Sequence, residues 1–406
     1  MKRRSGFMET EFEMRIIYFL DSFPKLSESF ILNELKELDS RGHDVSVFAL
    51  ENPNEETEHE GISKMDLPVR YSDRPSVFDL VDLFDLDLAS LNVVQSLSYE
   101  RNLLHTAYHL HLGLQCAEFV RNHTGTPDVI HGHFATHTKL GARFAADIFG
   151  IPFTITGHAY EMFPRSERST ARRVFDSSDR AVAPSEYNRR FMRDELGVQT
   201  PIDTVYATTD VSEFRPDGTE TDPRRILTVA RLVEKKGHRY ALGALRQLVD
   251  HFPGVEYRIV GKGPLRDDLE SLADELGIRS NVTFLGHVPD SQLRDEYRRA
   301  AVFVLPCVVA EDGDRDVIPV VLKEAMGAET PCVSTDVAGI PELITDGENG
   351  YIVPQRDDDA LADKTRELLE QPGLRTRIGK SGRQTVQDQF GIQDAVDELL
   401  STFHNA

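Results

Sequence analysis

The chain has 406 residues, with 46 Lys and Arg against 68 Asp and Glu, for a formal net charge of -22. At roughly 100–200 residues per domain this length predicts two domains or three, and 40 % hydrophobic residues supply cores and exclude global disorder. The acidic balance excludes a protein whose main partner is a nucleic-acid backbone, since no basic excess is available to release counterions; it also argues against broad adhesion to anionic lipid, although a local basic patch stays open.

In chain order, residues 1–13 run basic and then acidic without an apolar core, which predicts a frayed extension and no secretory signal. Residues 15–20 predict a buried strand, 27–41 a helix closed by Gly42, and 45–50 the next strand. This β-loop-α-β grammar predicts a parallel, doubly wound sheet. Residues 51–75, with five glutamates between Glu51 and Glu60, read as an exposed loop, and 76–122 are mostly helical in period. A strand at 128–131, a helix at 140–149, strands at 152–156 and 180–184 and a helix to 196, capped at Ser185, follow. A second series then starts: strand 225–230, helix 238–251, strand 256–260, helix to 276, strands 282–285 and 301–305, a helix opening at 319–326 and a strand at 331–334. Two such series, joined near residues 198–220, predict two Rossmann-like domains facing one another.

No stretch of about 18 uncharged apolar residues occurs, so no transmembrane helix is predicted. Cys116, Cys307 and Cys332 show no CxxC spacing, which predicts buried, inert thiols in a reducing compartment. The chain carries 11 Lys against 35 Arg. Excess carboxylate with few lysines fits a protein kept soluble in concentrated salt, where charge repulsion is screened; an ordinary acidic cytosolic enzyme is the alternative.

Ligands of open α/β sheets bind beyond the carboxyl ends of the strands, so chemistry is sought there. Arg231 and Lys236 follow the strand at 225–230 beside a helix start. A planar fork, a point charge and helix N–H groups make an anion site; a solvated pair of charges is the alternative. Gly261-Lys262-Gly263-Pro264 follows the next strand and lets backbone approach a ligand, or is a plain tight turn. Asp316 lies in a loop, and Glu324, eight residues on, lies about a turn into a helix. A carboxylate there can chelate the vicinal diol of a ribose, or balance the helix dipole. His105, His109, His111, His131, His133 and His137 lack a matched carboxylate or Cys set, so no metal site is predicted. Asp312-Gly313-Asp314 reads as a solvated acidic loop.

The segments from Leu227 to Gly237, Gly261-Lys262-Gly263-Pro264, Ile318-Pro319-Val320-Val321-Leu322-Lys323-Glu324-Ala325-Met326, Ala338-Gly339-Ile340-Pro341-Glu342-Leu343-Ile344 and Gly347-Glu348-Asn349-Gly350 resemble, in order and spacing, a glycosyltransferase of family 4. The N-terminal Phe23-Pro24-Lys25-Leu26-Ser27-Glu28-Ser29-Phe30 is similar to the branch that builds exopolysaccharide and other surface glycans.

The resemblance implies an α/β GT-B fold, two Rossmann-like doubly wound domains with the active site in a central cleft. An acceptor domain at 14–205, a donor domain at 206–385 and a helix at 386–406 packing back on the N-terminal domain are expected. It implies a retaining transferase that takes a UDP- or GDP-linked sugar, needs no metal or other cofactor, and serves a glycan or lipid-linked acceptor. It also implies a cytoplasmic enzyme, with peripheral association at the inner face of the membrane left open and the oligomeric state unassigned.

Carried over by position, Arg231 and Lys236 neutralise the donor diphosphate, Glu324 holds the ribose hydroxyls, and Asp316 touches the sugar. Gly261, Gly263, Pro264 and the backbone of Val317, Ile318, Pro319 and Val320 line the donor. His158 faces the reacting sugar. Ser27, Glu28, Ser29 and His133 stand on the acceptor side, with a helix cap at Ser27 as the simple alternative.

The chain departs from the pattern in four places. Asp316-Val317 stands where Glu-Gly is usual, Ala207-Thr208-Thr209 where a small glycine-containing turn precedes Asp210, Glu161 where Asp is common, and Gly327 follows Met326. A nucleotide-sugar epimerase on a related fold and a catalytically degenerate sugar-nucleotide binding subunit are the competing readings.

Overall fold

The computed structural model describes residues 13–25, 28–53, 67–73, 103–123, 125–207 and 211–406. Its strands form two sheets. The first holds β1 (Arg15–Ser22), β2 (Asp44–Glu51), β3 (Val69–Tyr71), β4 (Val129–His133), β5 (Phe153–Thr156), β6 (Arg180–Ala183) and β7 (Ile202–Thr204), in spatial order β3-β2-β1-β4-β5-β6-β7. The second holds β8 (Asp222–Val229), β9 (Glu256–Val260), β10 (Val282–Gly286), β11 (Ala300–Leu305), β12 (Cys332–Thr335) and β13 (Tyr351–Val353), in order β10-β9-β8-β11-β12-β13. β1–β2, β1–β4, β2–β3, β4–β5 and β6–β7 pair in parallel, as do all neighbours of the second sheet. Ile16 lies opposite Val45 and Val129, and Ile226 opposite Tyr257 and Val302. The protein has the GT-B fold, with two Rossmann-like sheets.

Counted from its own first strand, the second sheet repeats the order of the first six strands of the first sheet. In each, the winding reverses beside the opening strand, between β1 and β4 and between β8 and β11. That reversal is the topological switch point, beyond whose carboxyl ends an open α/β sheet takes its ligand.

Helices on both faces explain why the central strands are continuous apolar runs rather than alternating ones. Ala300–Leu305 is buried throughout, as is Val129–His133. The helix His238–His251 turns Ala241, Leu242, Leu245 and Leu248 inward at helical spacing, onto Tyr257, Ile259, Val302 and Val304. Each leucine so buried contributes about 1.5–3 kcal/mol. The buried Tyr257 hydroxyl meets Thr228 Oγ1 at 2.8 Å, so the core keeps no loose polar end there.

Several elements lie where none is predicted. The three-residue β3 pairs with β2 inside the stretch read as loop. The helices Ala159–Met162, Arg168–Ser177 and Asp290–Arg299 and the strands β7 and β13 are also unpredicted. Ser185 does cap the helix Glu186–Asp194, its side chain accepting the Asn188 N–H at 3.0 Å. No described helix is long and apolar enough to cross a membrane.

The described chain divides into two compact units. One takes residues up to 156 with 173–180 and 403–406; the other takes 157–172 and 181–402. In the first, the Phe403 ring lies 5.1 Å from that of His131.

Candidate active site

At the switch point of the second sheet the chain leaves β8 through Ala230 into exposed Arg231 and then a 3-10 turn, Glu234–Lys236. The next residue, Gly237, has φ +68°, and a Cβ there would lie 1.8 Å from the Pro306 carbonyl oxygen at the end of β11. Only glycine lets the two strand ends approach this closely.

Lys236 Nζ pairs with Asp316 Oδ2 at 2.7 Å, and Lys235 Nζ with Asp314 Oδ2 at 3.0 Å and Asp316 Oδ1 at 3.7 Å. Burial opposes the charge on Lys236 and on Asp316. Their mutual attraction wins, holding the lysine above its ordinary pKa and the carboxyl below its own. Asp314 is therefore ion-paired, not the solvated acid expected of that loop.

Gly261-Lys262-Gly263-Pro264 closes on the same segment. Leu232 N–H donates to Lys262 O at 3.0 Å and Leu265 N–H to Leu232 O at 3.1 Å. A Cβ at Gly261, φ +140°, would sit 1.9 Å from Ala230 O, and one at Gly263 2.4 Å from Leu232 O. In this structure the close approach that these glycines serve is backbone to backbone, beside Arg231.

The loop carrying Asp316 runs into the helix Val320–Gly327, with Pro319 as its N-cap residue. Pro319 has no N–H to offer a ligand, so of the four residues assigned to the donor backbone only Val317, Ile318 and Val320 can donate. Val317 and Ile318 are buried and pack toward Gly339, where a Cβ would meet Val317 Cγ1 at 2.9 Å. The valine that replaces the usual glycine is thus accommodated by a glycine of the Ala338–Ile344 motif. Glu342 of that motif accepts from the N–H groups of Glu186 and Tyr187 at 2.9 and 2.7 Å and from the Tyr206 hydroxyl at 3.1 Å, capping the helix Glu186–Asp194.

Glu324 lies in the second turn of the Val320–Gly327 helix, and its Oε2 accepts from the Tyr297 hydroxyl at 2.7 Å. Burial pushes its carboxyl up to about 7 against that hydrogen bond. Its neighbour Lys323 is fully buried, donates to the Ala207 carbonyl and lies 5.7 Å from the Phe390 ring centroid; burial pulls its ammonium down to about 7.

His158 is the N-cap of the helix Ala159–Met162 in a reciprocal capping box. Its side chain accepts from the Glu161 N–H, and Glu161 Oε1 accepts the His158 N–H at 2.5 Å. The box ties His158 to the start of this short helix. Glu161 has this role because its side chain spans the box. After the helix, Phe163 stacks under Arg315, whose Cζ lies 4.7 Å from the ring centroid and whose Nη1 donates to the Tyr187 hydroxyl at 3.1 Å.

The matching edge of the first sheet is built differently. Asp21, near the end of β1, pairs with fully buried Lys139 Nζ at 2.6 Å and accepts from Thr136 at 2.8 Å and from Thr138. Burial opposes the Asp21 charge, but Lys139 and the two threonines hold its carboxyl below the ordinary value.

His131 and His133 share one face of β4. The His131 nitrogens meet Thr154 and Thr156 hydroxyls at 2.8 and 3.1 Å, and His133 Nε2 meets Glu34 Oε2 at 3.1 Å, where the Tyr18 hydroxyl also donates. Burial pushes Glu34 up to about 7 and His133 down to about 3, so the contact is a hydrogen bond to a neutral imidazole rather than an ion pair. Glu34, His131 and His133 offer one ligand atom each within 4.8 Å of one another. The carboxylate that the histidines lack in sequence is thus supplied from 97 and 99 residues away. Each of these atoms already has a hydroxyl or carboxyl partner. The fully buried His133 ring offers a bound sugar no open face.

Glu28 is the N-cap residue of the helix Ser29–Ser40 and accepts from Lys25 Nζ at 2.9 Å; burial raises its carboxyl. Ser27 lies outside the described residues. Cys116, Cys307 and Cys332 are free and buried, and burial raises each thiol.

The family model for glycosyl transferases group 1 matches residues 210–385, and that for glycosyltransferase family 4 matches residues 27–213. The chain is 27 % identical over 96 % of its length to WcaL of Salmonella typhimurium, named for colanic acid biosynthesis, covering 100 % of that protein. It is 28 % identical over 95 % of its length to the amylovoran biosynthesis glycosyltransferase AmsK of Erwinia amylovora, covering 98 % of it. A glycosyltransferase of Rickettsia africae shares the fold at TM-score 0.73 and 15 % identity, over 96 % of this chain and 98 % of that one. HepE of Anabaena, solved with UDP, shares it at TM-score 0.74 and 16 % identity, over 97 % of this chain and 100 % of that one. The two matched models, which overlap at residues 210–213 and together span 27–385 with the sheets and motifs described, make this chain a glycosyltransferase of family 4.

Proposed function

We propose that the protein transfers a sugar, with retention of anomeric configuration and without a metal, from a UDP- or GDP-sugar to a glycan or lipid-linked acceptor in surface-polysaccharide synthesis. The observation that carries this reading is Lys236 at the switch point of the second sheet, between exposed Arg231 and the loop that opens the Val320–Gly327 helix. The relatives named for colanic acid and amylovoran biosynthesis support the acceptor class. HepE with UDP, and a GDP-mannose-dependent mannosyltransferase of Mycobacterium tuberculosis that is 29 % identical over 58 % of this chain, support the two donor bases.

In the proposed reaction the bond between the anomeric carbon and the β-phosphate oxygen breaks, and its electron pair goes to the phosphate. Arg231, Lys236 and the N–H groups at the helix start stabilise that charge. An acceptor hydroxyl attacks on the same face, and its proton passes to the leaving phosphate. Glu324 accepts from the ribose hydroxyls. His158, held by Glu161, presents a fixed ring edge to the sugar, and Glu28 belongs to the acceptor side.

A thermal-shift panel of UDP, GDP and their sugars tests the reading. A ligand at 100 times its Kd adds about 2.7 kcal/mol, and no shift with any nucleotide overturns it. The same panel incubated without acceptor separates a transferase, which leaves its donor unisomerised, from an epimerase. Refolding yield in molar against low KCl tests a high-salt origin, and flotation with anionic vesicles tests docking at the inner membrane face.

A further inference from the structure

We propose that Asp316 is a built-in counter-ion of the donor lysines: its carboxylate holds Lys236 until the donor diphosphate displaces it, so it positions the cation rather than contacting the donor sugar. The inference rests on the donor site proposed above and goes beyond it.

Every contact of Asp316 is internal. Oδ2 takes Lys236 Nζ at 2.7 Å and the Cys307 thiol at 3.6 Å, and Oδ1 faces Lys235 Nζ at 3.7 Å. Lys235 in turn holds Asp314 at 3.0 Å. The four side chains are 10–26 % exposed, so dilute salt screens them only in part. Two lysines and two aspartates sum to zero charge. A diphosphate needs a net positive site, and the cluster as it stands offers none beyond exposed Arg231. Donor arrival must therefore take Lys236 from Asp316, leaving that carboxylate to Lys235, which already faces it.

Aspartate's short side chain also fits this role. Its Oδ2 is spent on Lys236 and Cys307 and its Oδ1 faces Lys235 at 3.7 Å, and a longer carboxylate would reach farther past the cluster. A sugar hydroxyl would compete with an ammonium for the same oxygen, and a charged donor makes the stronger hydrogen bond.

The test is the sign of one change. Calorimetric affinities for the bare nucleoside diphosphate and for the corresponding nucleotide sugar are measured for wild type, Asp316→Asn and Asp314→Asn, in low and molar KCl. On this proposal Asp316→Asn binds both ligands about fivefold tighter, by the same factor, because a competing anion is gone. The gain shrinks in molar KCl. Asp314→Asn frees Lys235 to hold Asp316 and gives a smaller gain, about twofold. A sugar-contacting Asp316 gives a different pattern: weaker nucleotide sugar and unchanged nucleoside diphosphate, which overturns the proposal. Unchanged or weaker binding of both ligands overturns it as well. If Asp316→Asn fails to fold, the Asp314→Asn result decides. Wild type that binds no nucleotide at all defeats the donor site itself, a different failure.

Discussion

The two sheets share one winding order and place one switch point each, yet the two edges spend their charge in opposite ways. At the end of β1 and β4 the charges are consumed: Asp21 by Lys139 and two threonines, Glu34 by a neutral His133 and Tyr18. At the end of β8 and β11, Arg231 stays exposed and Lys236 is held by a single close carboxylate. The fold supplies a place for a ligand, and the balance of fixed charge there selects its sign. The first edge is a scaffold of satisfied polar groups; at the second, on the proposal above, Lys236 leaves one carboxylate to hold an anion.

Removing one lysine from each edge should have opposite consequences. Lys236→Ala should lower kcat by about 100-fold to 1,000-fold, the cost of losing one preorganised donor to a developing oxyanion, as read in a donor-consumption assay. Lys139→Ala should act on stability instead, costing about 2–3 kcal/mol in denaturant unfolding as the Lys139–Asp21 pair is lost, while the folded protein keeps its nucleotide affinity. The reverse pattern would erase the distinction between the edges.

Glu34 sharpens the picture through pH. Its folded-state pKa, about 7, lies above the ordinary glutamate value. The folded state therefore binds the extra proton, and stability falls as pH rises from about 4.5 through about 7. Glu34→Gln stays neutral, so it should gain about 1–2 kcal/mol on wild type at pH 8 and lose that advantage near pH 5 in parallel urea titrations. The smallest effect belongs to Glu324, also raised to about 7 by burial. Its ionised form is the better acceptor for two ribose hydroxyls, so nucleotide-sugar affinity should rise by up to about tenfold from pH 6 to pH 8. Glu324→Gln should flatten that slope.

Much of the fold is legible in the sequence, because each central strand is a short apolar run followed by a helix of 3.6 period. The elements that escape are those with little pattern of their own. β3 is three residues held by β2, and Ala159–Met162 is one turn held by its capping box. The candidate site divides in the same way. Arg231, Lys236, Asp316 and Glu324 are visible because they follow strand ends at fixed spacing. Their partners are not, since Tyr297, Cys307 and Lys235 reach Glu324 and Asp316 only through the winding of the sheet. Glu342 could have been suspected from its motif, but its place at the start of a helix 156 residues away is set by tertiary packing.

Amide hydrogen exchange with saturating nucleoside diphosphate reports where the anion sits without relying on a substitution. Exchange should slow at residues 231–237 and at the Val317, Ile318, Val320 and Val321 amides, with residues 28–34 and 131–139 unchanged. Protection confined to the β1 and β4 edge would contradict that placement.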